Sequence, residues 1–260
     1  MDSARALLVK SKGQVRFTMA CTIAIAGKGG SGKTTVSCLI ARYLIGAKKT
    51  PVLAVDADPN ANFNVGLGLD FDETIADLRE EGMRQAPESM SKLDFVNMRL
   101  QEAVIEGANI DLLVMGRPEG SGCYCAVNHL LRDHLSKISK NYKYVIIDNE
   151  AGMEHLSRRT TDNVDLLLLV SDPSVVGLRS CARAYETVVG VPLRVEKTFL
   201  IINRAQGPLS QEAKAELAKI KVPLIGEIPF DVGISKAGEL GENLLTVSDG
   251  SVSVSVVKEI

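Results

Sequence analysis

The stretch "AIAGKGGSGKTTVS", residues 24–37, decides the fold. An apolar run ends at a glycine, a turn of glycines and small residues follows, and an apolar helical pattern then resumes. Gly27, Lys28, Gly29, Gly30, Ser31, Gly32, Lys33 and Thr34 match the spacing G-x-x-x-x-G-K-[ST]. That loop, placed between a strand and a helix, is suited to holding phosphate. Its glycines let successive backbone N–H groups turn inward on an anion, and the helix behind it directs its positive end at the same charge. Lys33 is then expected to meet the β- and γ-phosphates and the Thr34 hydroxyl to ligate Mg²⁺, with Thr35 beside them among the nucleotide contacts.

Working outward, short apolar runs alternate with helix-like segments. Strands are expected at "TIAIA" from Thr22, "VLAVD" from Val52, "DLLVM" from Asp111, "YVIID" from Tyr144, "LLLLV" from Leu166, "FLIIN" from Phe199 and "LIGEIP" from Leu224. The runs are continuous rather than alternating, as in strands buried on both faces. The pattern predicts an α/β protein with a mostly parallel sheet and helices on both sides. A long connection separates the second and third strands and carries a charged helical piece, "ETIADLREEGM" from Glu73; such connections are often functional. Residues 1–20 are expected to be an extension outside the core, which leaves one domain over 21–260.

The chain has 260 residues, 45% of them hydrophobic, enough for a sizeable core. Its net charge of −2 gives no basic field for nucleic acid or an anionic membrane. No apolar run reaches the roughly 20 residues needed to cross a bilayer. The N-terminus also lacks a signal-peptide layout, so a cytoplasmic location with no nucleic-acid or membrane partner is expected.

The five cysteines divide into two groups. Cys21, Cys38 and Cys181 fall in strand-like or helix-like segments, where a free cysteine is usually a small buried hydrophobe. Cys123 and Cys125 form a CxC pair in "GSGCYCAVNHLL". Two thiols fill half of a tetrahedral shell for a soft ion. A second copy of the chain, related by a two-fold axis, would supply the other half; His129 and His134 are nearby alternatives. A packed or merely reactive pair is the competing reading, because one CxC is less specific than paired CxxC motifs.

"KGGSGKTT", with its additional Lys28, resembles the deviant phosphate-loop ATPases, the group of MinD, ParA and the nitrogenase iron protein. The resemblance implies a homodimer in which Lys28 reaches the partner's nucleotide. It also implies that Asp58 of "AVDADPN" orients the attacking water, that Asp56 assists at Mg²⁺, and that Asp148 holds Mg²⁺ through a water. "NEAGMEH" after Asp148 corresponds to a switch segment. Asn203 is expected to read the adenine of ATP or ADP, with Pro229 and Phe230 of "IPFD" beside the base.

"MGRPEGSGCYCAVNHLLR" with "IIDNEAGMEHLSRRT" is similar to the CooC family, accessory ATPases for nickel insertion into carbon monoxide dehydrogenase. The related factor for acetyl-CoA synthase is close in kind. This resemblance implies that the CxC element binds Zn²⁺ or Ni²⁺ at the dimer interface and that the client is one of those two enzymes. Two other readings stand beside it: an iron–sulfur redox protein, whose cysteines are far apart in sequence, and a positioning ATPase. Membrane-bound positioning ATPases end in a basic amphipathic helix, and "SVSVSVVKEI" carries too little charge for one.

Overall fold

A computed structural model describes residues 9–11, 14–16, 20–117, 123–151, 163–190 and 193–260. The "NEAGMEH" segment beyond Ala151 lies outside the described residues, as do the residues just before Cys123. β1 (Val9–Ser11) and β2 (Gln14–Arg16) form an antiparallel pair separate from the main sheet.

The main sheet contains β3 (Cys21–Gly27), β4 (Val52–Ala57), β5 (Ile110–Val114), β6 (Tyr144–Asn149), β7 (Asn163–Ser171), β8 (Arg194–Ala205) and β9 (Leu224–Pro229). These are the seven runs expected from the sequence. Their spatial order is β5-β4-β6-β3-β7-β8-β9, and every pairing between them is parallel. Parallel neighbours require crossovers; helices lie in the crossovers that the described residues include, and two more helices follow β9. The helices are α1 (Lys33–Gly46), α2 (Phe63–Leu67), α3 (Ile75–Gln85), α4 (Lys92–Arg99), α5 (Cys123–Ile138), α6 (Val175–Val189), α7 (Gln211–Leu217), α8 (Val232–Leu240) and α9 (Val252–Glu259).

Two cores follow from the alternation of side chains along each strand. Ala24, Leu53, Leu113 and Ile147 point to one face and join Val127, Leu131 and Leu135 of α5 and residues of α3 and α6. Ile23, Ile25, Ala54 and Ile146 point to the other and meet α1, α2, α8 and α9. Continuous apolar strands are thus the consequence of helices on both faces.

The long connection between β4 and β5 contains α3 and α4, each with its own start signal. Thr74 and Asp77 cap α3 reciprocally, the Asp77 N–H donating to the Thr74 hydroxyl and the Thr74 N–H to the Asp77 carboxylate. Ser91 caps α4. Arg99 then ties the two helices together, donating to Glu73, Glu81 and Glu102 at 2.9–3.1 Å.

Cys38 and Cys181 are buried, and Cys21 is half-buried. Cys38 also fixes how close α2 comes to α1: a Cβ added at Gly66 would lie 2.4 Å from its Sγ. Gly66→Ala should therefore destabilise the protein by about 1–3 kcal/mol, the range for overpacking. Adding Cys38→Ala should recover part of that loss in urea melts, and additive effects would show that the two sites do not share this contact.

Candidate nucleotide site

The phosphate loop leaves the C-terminal end of β3, beside the ends of β4, β6 and β7, where open parallel sheets bind ligands. Gly32 sits at the N-cap of α1 in the left-handed region, at φ 88°, and no side chain caps the helix. No acidic residue occupies the first turn either. The first N–H groups of a 14-residue helix are thereby left for an external anion. A side chain at Gly32 is excluded twice, by φ and by Asn203, whose Nδ2 would lie 2.2 Å from a Cβ there.

Lys33 is 7% exposed. Burial pushes its ammonium pKa down, while Asp148, Asp58 and Glu150 act in the opposite direction. Thr34 Oγ1 donates to Asp148 Oδ2 at 2.6 Å, and Ser37 Oγ donates to Asp148 Oδ1 at 3.1 Å. The strands bring a second carboxylate alongside, since Asp56 on β4 is the register partner of Asp148 on β6. Asp56 is fully buried and accepts the N–H of Asp58 at 3.1 Å and that of Phe63 at 2.8 Å. It therefore shapes the turn that carries Asp58. Asp58 is half-buried, and its Oδ1 accepts both N–H and Nδ2–H of Asn60 at 2.9 Å.

The site's chemistry fits a hard cation beside phosphate. Two carboxylates and a threonine hydroxyl form an oxygen donor set of the kind Mg²⁺ takes. Ser31 Oγ is buried at the loop with no hydrogen-bond partner. Lys28, Gly29 and Gly30 are exposed.

Asn203, at the end of β8, is 4% exposed and donates to the Ser31 carbonyl at 2.9 Å. Next to it lies a cavity of about 310 Å³ lined by Thr35, Asn203, Arg204, Pro229, Phe230 and Ser235 among others. The residues expected around the base thus share one cavity. Two residues the sequence did not single out also belong here. Ser37 lies one turn beyond Lys33, and an i, i+4 search along α1 would have found it. Arg204 donates to the Gly30 carbonyl at 3.0 Å.

The CxC element is elsewhere. α5 packs on the sheet face opposite α1. Cys125 is exposed; the side chain of Cys123 lies outside the described residues. His129 is exposed, with Nε2 3.2 Å from Asp133 and Nδ1 against Arg132. Both ring nitrogens are therefore engaged in this structure. His134 is buried, its Nε2 has no partner, and burial lowers its pKa. It is nine residues from Cys125, about half a turn away on a helix, so the two face opposite ways. Among the described residues no group of three or more His, Cys, Asp or Glu side chains is placed to hold a metal ion.

Burial, followed by repulsion between the two carboxylates, raises the Asp56 pKa from 3.8 to about 7; burial raises that of Asp148 to about 6 despite its hydroxyl partners. Such groups hold a proton in the folded chain that they have already lost in the unfolded one. Their contribution to stability is complete below the unfolded value and disappears as pH rises through the folded one. The nucleotide-free protein is therefore expected to melt higher at about pH 5.5 than at about pH 7.5. Asp148→Asn, which cannot ionise, should shrink that difference; an unchanged difference would separate the pair from the pH dependence.

The profile of the CobQ/CobB/MinD/ParA nucleotide binding domain matches residues 22–245. An uncharacterized ATP-binding protein of Methanocaldococcus jannaschii is 36% identical over 244 residues, covering 92% of this chain and 96% of that one. The carbon monoxide dehydrogenase accessory protein CooC of Rhodospirillum rubrum is 33% identical over 235 residues, covering 84% and 87%. Among solved structures, the septum site-determining protein MinD of Pyrococcus horikoshii complexed with Mg-ADP has the same fold, with a TM-score of 0.69 at 22% identity, over 93% of this chain and 94% of that one. With its phosphate loop and seven parallel strands, the chain is an ATPase that belongs to the CobQ/CobB/MinD/ParA nucleotide-binding family.

Proposed function

We propose that the protein is a dimeric Mg-ATP hydrolase that carries nickel to a metalloenzyme, with carbon monoxide dehydrogenase or acetyl-CoA synthase as the client. The observation that carries this reading is the exposed Cys125 of a CxC pair at the start of α5, in a chain that also holds a complete phosphate loop. The 33% identity to the CooC of Rhodospirillum rubrum supports the client class.

In this reading the helix N-terminus and Lys33 hold the phosphates, and Thr34 and Asp148 hold Mg²⁺. Mg²⁺ bound there would offset the charge of the phosphates and of the carboxylate pair. Asp58 orients the attacking water, and its mobility is limited by the Asx turn it makes with Asn60. Lys28 is exposed and reaches the nucleotide of a second copy. Asn203, Pro229 and Phe230 receive the adenine.

The cargo ion, Ni²⁺ or Zn²⁺, is bound by Cys123 and Cys125. Two thiolates fill only half of the four-ligand shell of a closed soft-metal site. A second chain is therefore the natural way to gather several thiolates round one ion, and a shared ligand couples metal binding to association. Nucleotide enters the same linkage through Lys28. ATP thereby controls whether the metal is held or released.

Zinc titration followed by sedimentation equilibrium tests this. Binding of about one Zn²⁺ per two chains is expected, together with tighter dimerisation, because a closed thiolate site takes four ligands. Cys125→Ser should abolish both effects and leave ATP affinity nearly intact. One ion per chain with no change in association would contradict the shared site.

A further inference from the structure

Asn203 and Arg204 are consecutive on β8, and both donate to the same loop. Nδ2 of Asn203 reaches the Ser31 carbonyl at 2.9 Å, and Nη1 of Arg204 reaches the Gly30 carbonyl at 3.0 Å. Consecutive side chains on a regular strand point to opposite faces, so a regular β8 could not do this. The strand departs from regularity at this point. Arg204 has φ 58°, in the left-handed region that residues with a side chain rarely enter. The pairing with β9 slips between Asn203 and Ala205, so that Asn203 faces Ile228 and Ala205 faces Pro229. Arg204 is the additional residue of this bulge, and the Phe230 N–H closes it by donating to the Ala205 carbonyl at 2.9 Å. A strained backbone that persists is held by its surroundings and often marks a functional position.

We propose that Arg204 is a positioning residue for the nucleotide phosphates. With Asn203 it forms a two-point clasp on the outward carbonyls of the phosphate loop. A trans peptide directs C=O and N–H oppositely. Holding the Ser31 carbonyl outward therefore turns the Gly32 N–H inward, and holding the Gly30 carbonyl fixes the preceding peptide. The Ser31 N–H, on that peptide, already donates back to the Lys28 carbonyl at 3.2 Å, so its two ends are secured in opposite directions. The exposed guanidinium touches backbone rather than the buried interior, so it can be removed without opening the core. Because Arg204 also lines the cavity beside Phe230, it joins the base side of the site to the phosphate side.

This inference rests on the loop being the phosphate site, and one titration series separates the two claims. Mg-ATP and Mg-tripolyphosphate, which lacks base and sugar, are titrated into the wild type, Arg204→Ala and Arg204→Lys by calorimetry, with melting temperatures alongside. Wild-type binding of neither probe would defeat the phosphate-site reading itself. If the clasp acts on the loop, Arg204→Ala weakens both probes by the same factor, roughly fivefold for one charged hydrogen bond at an exposed position. Arg204→Lys, which keeps a cationic donor, recovers part of that loss, and the melting temperature stays near wild type in both variants. A loss confined to ATP would make Arg204 a reader of base or sugar and overturn the proposal. Unchanged binding of both probes, or no recovery with lysine, would overturn it as well.

Discussion

The site is organised around one buried carboxylate. Asp148 is 1% exposed, lies at the end of β6 and accepts hydrogen bonds from Thr34 and Ser37 on α1. Charge in that position is costly to bury and needs compensation by donors or cations. The hydroxyls provide part of it and Lys33 another part. Asp56, its register partner, adds a second negative charge that the backbone N–H groups of Asp58 and Phe63 only partly offset. An Mg²⁺–phosphate unit would complete the compensation. The same contacts tie α1 to β6 and fix the direction in which α1 presents its free N–H groups.

Much of this was legible in the sequence because it depends on local chemistry. The phosphate loop has a spacing set by backbone geometry, and the strands were visible as unbroken apolar runs such as "YVIID", which only burial on both faces requires. Asp56, Asp148 and Asn203 lie near the C-terminal ends of β4, β6 and β8 because each closes one of those apolar runs in the sequence. The limits are equally physical. β8 runs from Arg194, ahead of the expected "FLIIN", because its first residues are exposed and carry polar side chains that hide the strand. Arg204 gave no signal, since its aim depends on a left-handed backbone and a pairing slip with β9, both tertiary. His134 looked like a candidate ligand and is a buried helix residue facing away from Cys125, a distinction that needs the helix phase.

The helices that follow the phosphate loop and carry the CxC pair lie on different faces of the sheet, α1 on one and α5 on the other. In the proposed mechanism a second chain links the CxC pair to the phosphate loop. Lys28 is exposed at one element and Cys125 at the other, and a single symmetric interface could engage both. Nucleotide state and metal binding would then be linked reciprocally, each strengthening the other by the same factor.

A crystal structure with Mg-ADP tests the central claim most directly. The account predicts the β-phosphate at the N-terminus of α1 against Lys33, and Mg²⁺ on the Thr34 hydroxyl. The direct hydrogen bond between Thr34 and Asp148 should give way to contacts through the metal and its waters. Nucleotide bound elsewhere, or bound at the loop with the Thr34–Asp148 contact intact and no metal between the phosphate and Thr34, would contradict it.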